Sequence, residues 1–155
     1  RQRFLDFLNP DLDPMGSSYH IIQSITAIGS GGLFGKGWGQ GSQTQLKFLP
    51  VQESDFILSV IAEEFGFIGI VIIMFLFFML IKTLLDLAFK ANDYFSSLVI
   101  IGLTSILFSH IFVNSAMTIG LMPVKGLPTP FVSAGGSFML LCFIIISLVS
   151  NMSKN

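Results

Sequence analysis

The sequence predicts an all-α membrane protein with three transmembrane helices and a large external loop, and three observations carry that prediction. Of the 155 residues, 52% are hydrophobic and only 11% charged, and the mean hydropathy of +0.80 lies outside the range of soluble domains. A helix needs roughly 20 apolar residues to cross a hydrocarbon core about 30 Å thick, and residues 56–81, 94–118 and 131–150 all reach that length. The connections between them, KTLLDLAFKAND and GLMPVKGLPTP, are polar or rich in Pro and Gly.

Taken in order, residues 1–55 carry Gly, Pro and polar side chains, and YHIIQSITAI is too short to span, so this region reads as a loop outside the bilayer with one short amphipathic helix. The first span, 56–81, leads into a connection, 82–93, that holds Lys82, Asp86, Lys90 and Asp93; the second span, 94–118, leads into the Pro/Gly segment 119–130. The third span, 131–150, ends in a short tail, 151–155. Lys82, Lys90 and Lys154 outweigh Lys125, so the positive-inside rule places 82–93 and the tail in the cytoplasm. Residues 1–55 and 119–130 then share the outer face. The chain opens Arg-Gln-Arg, with no initiator Met, which suggests part of a longer polypeptide.

A formal charge of −1 and no Lys/Arg cluster argue against nucleic acid as a partner. One cysteine, Cys142, offers no disulfide framework and no zinc spacing, and reads as a packing or lipid-facing residue. Chemistry is instead suggested by LPVQESDFILSVIAEE, residues 49–64, which sets Glu53, Asp55, Glu63 and Glu64 at the head of the longest apolar run. At 100° per residue, Asp55, Ser59 and Glu63 lie within about 80° of one another, with Ala62, Gly66 and Gly69 on the same side. Such a face is polar above and small below, so it should point into a bundle. Glu64 should point the other way. Two roles fit Asp55: a helix N-cap together with Ser54, or a general base at the water–lipid boundary, where partial burial raises a carboxylate pKa. Glu63 lies roughly 12 Å deeper and must be paired or face a hydrated cavity.

The run GSGGLFGKGWGQG, residues 29–41, is not a Walker loop, because Ser30 and Gly37 occupy the positions that need Gly and Ser/Thr. Its backbone donors, with Lys36 and Trp38, suit a phosphate or sugar contact, and a plain hinge loop fits equally well. His110 and Asn114, four apart, form a polar pair on one helical face that suits either helix association or catalysis. Pro123, Pro128 and Pro130 forbid a regular helix between the last two spans, and SAGGS, residues 133–137, opens the third with small residues.

Three stretches, YHIIQSITAIGSGGLFGKGW (19–38), FLPVQESDFILSVIAEEFGFIG (48–69) and the signature from Asn114 to Ser137, resemble the shape, elongation, division and sporulation (SEDS) family of membrane glycosyltransferases, RodA, FtsW and SpoVE. The resemblance covers essentially the whole chain, and DFLNPDLDPMGSSYHIIQS with GSGGLFGKGW is most similar to the RodA, or elongation, branch. Such proteins have about ten membrane helices, so the resemblance implies a C-terminal portion of a SEDS bundle: the external loop after the seventh helix, then helices eight to ten. It also implies that Asp55, the aspartate of the family's LPxxx[TS]DF motif, is catalytic. Val51, Ser54, Ala134 and Phe138 depart from the residues common in the family, and none of these changes touches Asp55.

The activity so implied is polymerisation of lipid II into β-1,4 glycan strands for cell elongation and rod shape, at the outer face of the bacterial cytoplasmic membrane. Asp55 would take the proton of the acceptor 4-hydroxyl during direct, inverting displacement at the anomeric carbon. Lys36, Lys47, Lys125 or a divalent cation (Mg or Mn) would neutralise the leaving lipid diphosphate. Trp38, Glu53 and Ser133 complete the expected substrate contacts, and Glu63, Glu64, His110 and Asn114 the structural or cavity polar groups. The implied partners are lipid II, the growing glycan strand, membrane lipid, a class B penicillin-binding protein transpeptidase, and other membrane proteins of the elongation or division complex. Two competing classes are a lipid II transporter, which needs its key polar group near mid-membrane, and a non-catalytic scaffold that docks a partner helix.

Overall fold

The computed structural model describes residues 17–37, 56–123, 126–133 and 135–153, and within them every regular element is an α-helix. These are α1 (Ser17–Gly31), α2 (Ile57–Lys90), α3 (Tyr94–Thr118) and α4 (Gly136–Met152). Two of them, α2 and α3, are long and apolar enough to cross a membrane. Their outward rows of large side chains, among them Phe67, Ile72, Phe75, Phe78, Phe108 and Phe112, are exposed, as expected where lipid or further helices replace water. The protein is therefore an all-helical membrane protein.

α2 and α3 form an antiparallel pair joined by the three residues 91–93. Met74 meets Ser115 near one end, while Leu84, Ala88, Ile100 and Leu107 pack with Cys142, Ile145 and Val149 of α4 towards the other. Cys142 is fully buried in that cluster, so it is a packing residue and does not face lipid.

Residues 82–90, expected within a loop, are helical and extend α2 to 34 residues. The reason is legible in the sequence, because the buried row Phe77, Leu84, Ala88 continues at helical spacing straight through the charged stretch. Lys82, Asp86 and Lys90 stand four apart on the exposed side, where alternating signs support a helix. At its other end, the N-cap position of α2 falls on Phe56 and not on Ser54 or Asp55.

α4 is shorter than expected, with 17 residues and a length of roughly 25 Å. The residues before it stay irregular: Pro128 and Pro130 lack amide donors, and Phe131 has φ 63°, a left-handed conformation unusual for a bulky side chain. α1 is the expected short helix, but its orientation reverses the soluble pattern. Ser24, Ala27 and Gly31 are buried while Ile22 and Ile25 are exposed, so small side chains make the helix contact.

Candidate functional site

The face predicted for α2 is the one it buries: Leu58, Ser59, Ala62, Glu63 and Gly66 are all buried. What covers it is α1 and the residues that follow. Gly31, the last residue of α1, lies against the main chain of Ala62 and Glu63, where any Cβ would clash with the Ala62 carbonyl. α1 is pinned from the other side by Ser24, whose Oγ donates to the carbonyl of Thr118 at the end of α3 (2.8 Å).

α2 is not one continuous helix. Gly66, at φ 69° and ψ −164°, interrupts it, and this conformation is open essentially to glycine alone. A break of this kind in a membrane helix leaves carbonyls and amides that water cannot reach, so protein must satisfy them. Residues 32–37 do so almost atom for atom. The carbonyls of Glu63 and Glu64, which an unbroken helix would have given to Phe67 and Ile68, accept instead from the amides of Lys36 (3.0 Å) and Gly37 (3.1 Å). The amides of Phe67 and Ile68 donate in turn to the carbonyls of Gly32 (2.9 Å) and Leu33 (3.3 Å). Gly35 packs directly on this gap, with no room for a Cβ beside Glu64 and Gly66. Of the glycines in this run, Gly31 and Gly35 thus serve a close backbone approach between two segments of the chain.

The side chains complete the junction. Lys36 Nζ forms an ion pair with Glu63 Oε1 at 2.9 Å, and Ser30 Oγ lies 3.4 Å from the same oxygen. Glu63 is 0% exposed and Lys36 31%, so the carboxylate is sequestered while the ammonium reaches towards the surface. A buried carboxylate in a membrane helix needs such a partner. Below the junction, between α1, α2 and α3, lies an apolar cavity of about 340 Å³ lined by Ile28, Leu58, Ala62, Phe67 and Ile119 among others.

The same end of the molecule holds a second group of polar residues. α3 stops in a Schellman arrangement in which Gly120 (φ 76°) and Leu121 donate to the carbonyls of Met117 and Ala116. Asn114, fully buried, donates from Nδ2 to the carbonyl of Leu127 (2.7 Å) and fastens the Pro/Gly segment to α3. One turn away His110 packs on Phe138 with ring centroids 4.8 Å apart. Thr129 and Ser133, joined through the Ser133 amide and Thr129 carbonyl, bury hydroxyls that have no hydrogen-bond partner among the described residues.

Of the residues singled out from sequence, Lys36 and Glu63 meet directly, and Glu64 joins them through its carbonyl. His110, Asn114 and Ser133 gather around the segment between α3 and α4. Asp55, Trp38, Lys47, Glu53 and Lys125 lie outside the described residues. Lys36, expected among the cations for the leaving diphosphate, is here the counter-ion of Glu63. Three features were missed: the break at Gly66, the threading of residues 32–37 through it, and the buried Thr129. The first two had a signal, the glycine-rich run 29–41 and a second glycine, Gly66, just after the acidic pair Glu63–Glu64 inside an apolar run. The described residues do not fit a divalent cation, because no three of their His, Cys, Asp and Glu side chains come together and Glu63 is already matched by an ammonium.

These features define a class, a helical membrane protein whose buried polar groups collect at one end, around a broken helix and a proline-broken connection. The family follows from comparison. Residues 1–155 match the FtsW/RodA/SpoVE family of cell cycle proteins, and the chain belongs to that family. It is 50% identical over 140 residues to the peptidoglycan glycosyltransferase MrdB of Escherichia coli K12, an alignment covering 90% of this chain and 38% of that protein. It is 39% identical to the peptidoglycan glycosyltransferase RodA of Treponema pallidum (97% of this chain, 35% of that one) and 39% identical to stage V sporulation protein E of Bacillus subtilis (99% and 42%). The chain thus spans about two fifths of the length of these relatives. A solved structure of a peptidoglycan synthase complex, described as coordinating polymerization and crosslinking, contains a chain that superposes with a TM-score of 0.81 at 28% identity, covering 99% of this chain and 41% of that one.

Proposed function

We propose that this chain is part of a peptidoglycan glycosyltransferase that polymerises lipid II into β-1,4 glycan strands for cell elongation, with Asp55 as the general base. The observation that carries the reading is the 50% identity to a protein named for that activity, over nearly the whole chain. The geometry is consistent with it. In sequence Asp55 directly precedes Phe56, the buried N-cap residue of α2. A carboxylate entering a membrane helix is partly desolvated, which suits it to take the proton of the acceptor 4-hydroxyl as that oxygen attacks the anomeric carbon. Lys36 being paired with Glu63, Lys47 and Lys125 are the cations proposed to neutralise the leaving lipid diphosphate.

On this reading α4 is a third span, and the protein sits in the bacterial cytoplasmic membrane with its polar end outside. A class B penicillin-binding protein transpeptidase is the proposed partner, in keeping with the synthase complex that holds the solved relative. The transporter alternative draws no support from the polar residues. Glu63, a candidate for that mid-membrane group, is already neutralised by Lys36.

The test is glycan-chain formation from labelled lipid II by the full-length protein with its transpeptidase, comparing wild type and Asp55→Asn. Loss of a positioned base should slow polymer formation about a hundredfold or more with lipid II binding retained. Undiminished polymer would reject Asp55 and turn attention to Glu53.

A further inference from the structure

We propose that Lys36 and Glu63 are positioning residues for this reaction, their ion pair holding residues 32–37 in the break of α2 and so fixing where the chain departs towards Asp55 and where it returns. The inference rests on the reading of Asp55 as the base.

Three observations converge on it. First, Gly37 and Phe56 both sit on one short stretch of one helix: Gly37 donates to the Glu64 carbonyl, and Phe56 is the N-cap residue of the same helix. Eight residues of helical rise separate Glu64 from Phe56, roughly 12 Å. A change at Glu63 or Glu64 therefore moves Gly37 relative to Phe56. Second, the junction depends on contact with no slack. Gly31, Gly35 and Gly66 leave no room for a Cβ, and four main-chain hydrogen bonds replace those that the helix lost. Third, the Lys36–Glu63 ion pair sits where charge matters most. Glu63 is fully buried, so without the Lys36 ammonium its carboxylate is best relieved by water, and water reaches it only if residues 30–37 separate from Ala62 and Glu63. The ion pair thus converts an electrostatic requirement into a fixed chain position. Neither side chain has to touch the reacting atoms to influence the rate.

The experiment uses the full-length protein with its transpeptidase in lipid nanodiscs and compares Lys36→Met, Glu63→Met, the double variant Lys36→Met/Glu63→Met, and Lys36→Arg. Two readouts are taken: kcat and KM for lipid II, and amide hydrogen exchange of residues 32–37 and 64–68. Each Met single variant should exchange faster at these amides and lose about a hundredfold in kcat, the scale of an ångström misplacement, with KM for lipid II little changed. Lys36→Arg should keep both protection and rate. In the double variant no unpaired charge remains buried, so protection should return and kcat should recover about tenfold over the slower single variant.

Leu84→Ala, in the α2–α3–α4 cluster far from the junction, separates positioning from stability, since it should lower Tm and leave kcat unchanged. Wild-type kcat in either Met single variant would overturn the proposal. So would a double variant, or a Lys36→Arg protein, that regains protection but stays as slow as the Met single variants, because the charges would then act on the reaction itself. A wild-type protein that makes no polymer overturns the glycosyltransferase reading and this inference with it, before any variant is compared.

Discussion

At the scale of the residue, Gly66 shows how a single missing side chain decides local architecture. Its backbone angles are open essentially to glycine alone, and a Cβ would run into the Gly35 amide and the Leu33 carbonyl. Gly66→Ala should therefore lower stability by about 2–4 kcal/mol, combining backbone strain with overlap against main chain that cannot move aside. A thermal-stability assay in detergent would register this as a clear drop in Tm, and an unchanged Tm would mean that the break does not form. Glu63 teaches a related lesson. Sequence reasoning could say that a carboxylate there must be paired or hydrated, but Lys36, 27 residues earlier, became its partner only through the threading of the glycine-rich strand. Periodicity carries no information on which distant loop returns to a given helix.

Among the elements, the buried face of α2 and the short helix α1 were legible because apolar and small residues recur with helical spacing. The extension of α2 through residue 90 was less so, since charges drew attention away from the continuing row Leu84 and Ala88. The segment between α3 and α4 was legible as irregular from its prolines, but its fastening was not. Asn114 supplies that fastening, as its Nδ2 donates to the Leu127 carbonyl and joins the last turns of α3 to a loop that has few backbone donors of its own. Asn114→Leu removes the donor and leaves a carbonyl without it, at a cost of about 1–3 kcal/mol. Hydrogen exchange should show the loss locally, as faster exchange at residues 126–135 with the α2–α3 amides unaffected. Equal loosening throughout would mean that Asn114 supports the whole bundle and not the segment.

For the whole molecule the main consequence is polarity along the helix axes. α1 and the residues that follow it, the start of α2, the end of α3 and the segment leading into α4 carry Ser24, Ser30, Lys36, Glu63, Asn114, Thr129 and Ser133, most of them buried. The opposite end carries Lys82, Asp86, Lys90 and Asp93, all exposed. α3 alone is 25 residues, roughly 37 Å, long enough to reach across a hydrocarbon core of about 30 Å and to put its two ends in different aqueous phases. On the proposed reading Lys82 and Lys90 favour the cytoplasm for the 91–93 turn, which would send residue 126 outside. Single cysteines test this directly, because the chain's own Cys142 is buried and should stay silent to an impermeant maleimide. In intact spheroplasts Gly126→Cys should label and Asn92→Cys should label only after permeabilisation. The opposite pattern would turn the polar end to the cytoplasm, on the wrong side for building an external polymer. Labelling of both positions without permeabilisation would deny that α3 spans at all.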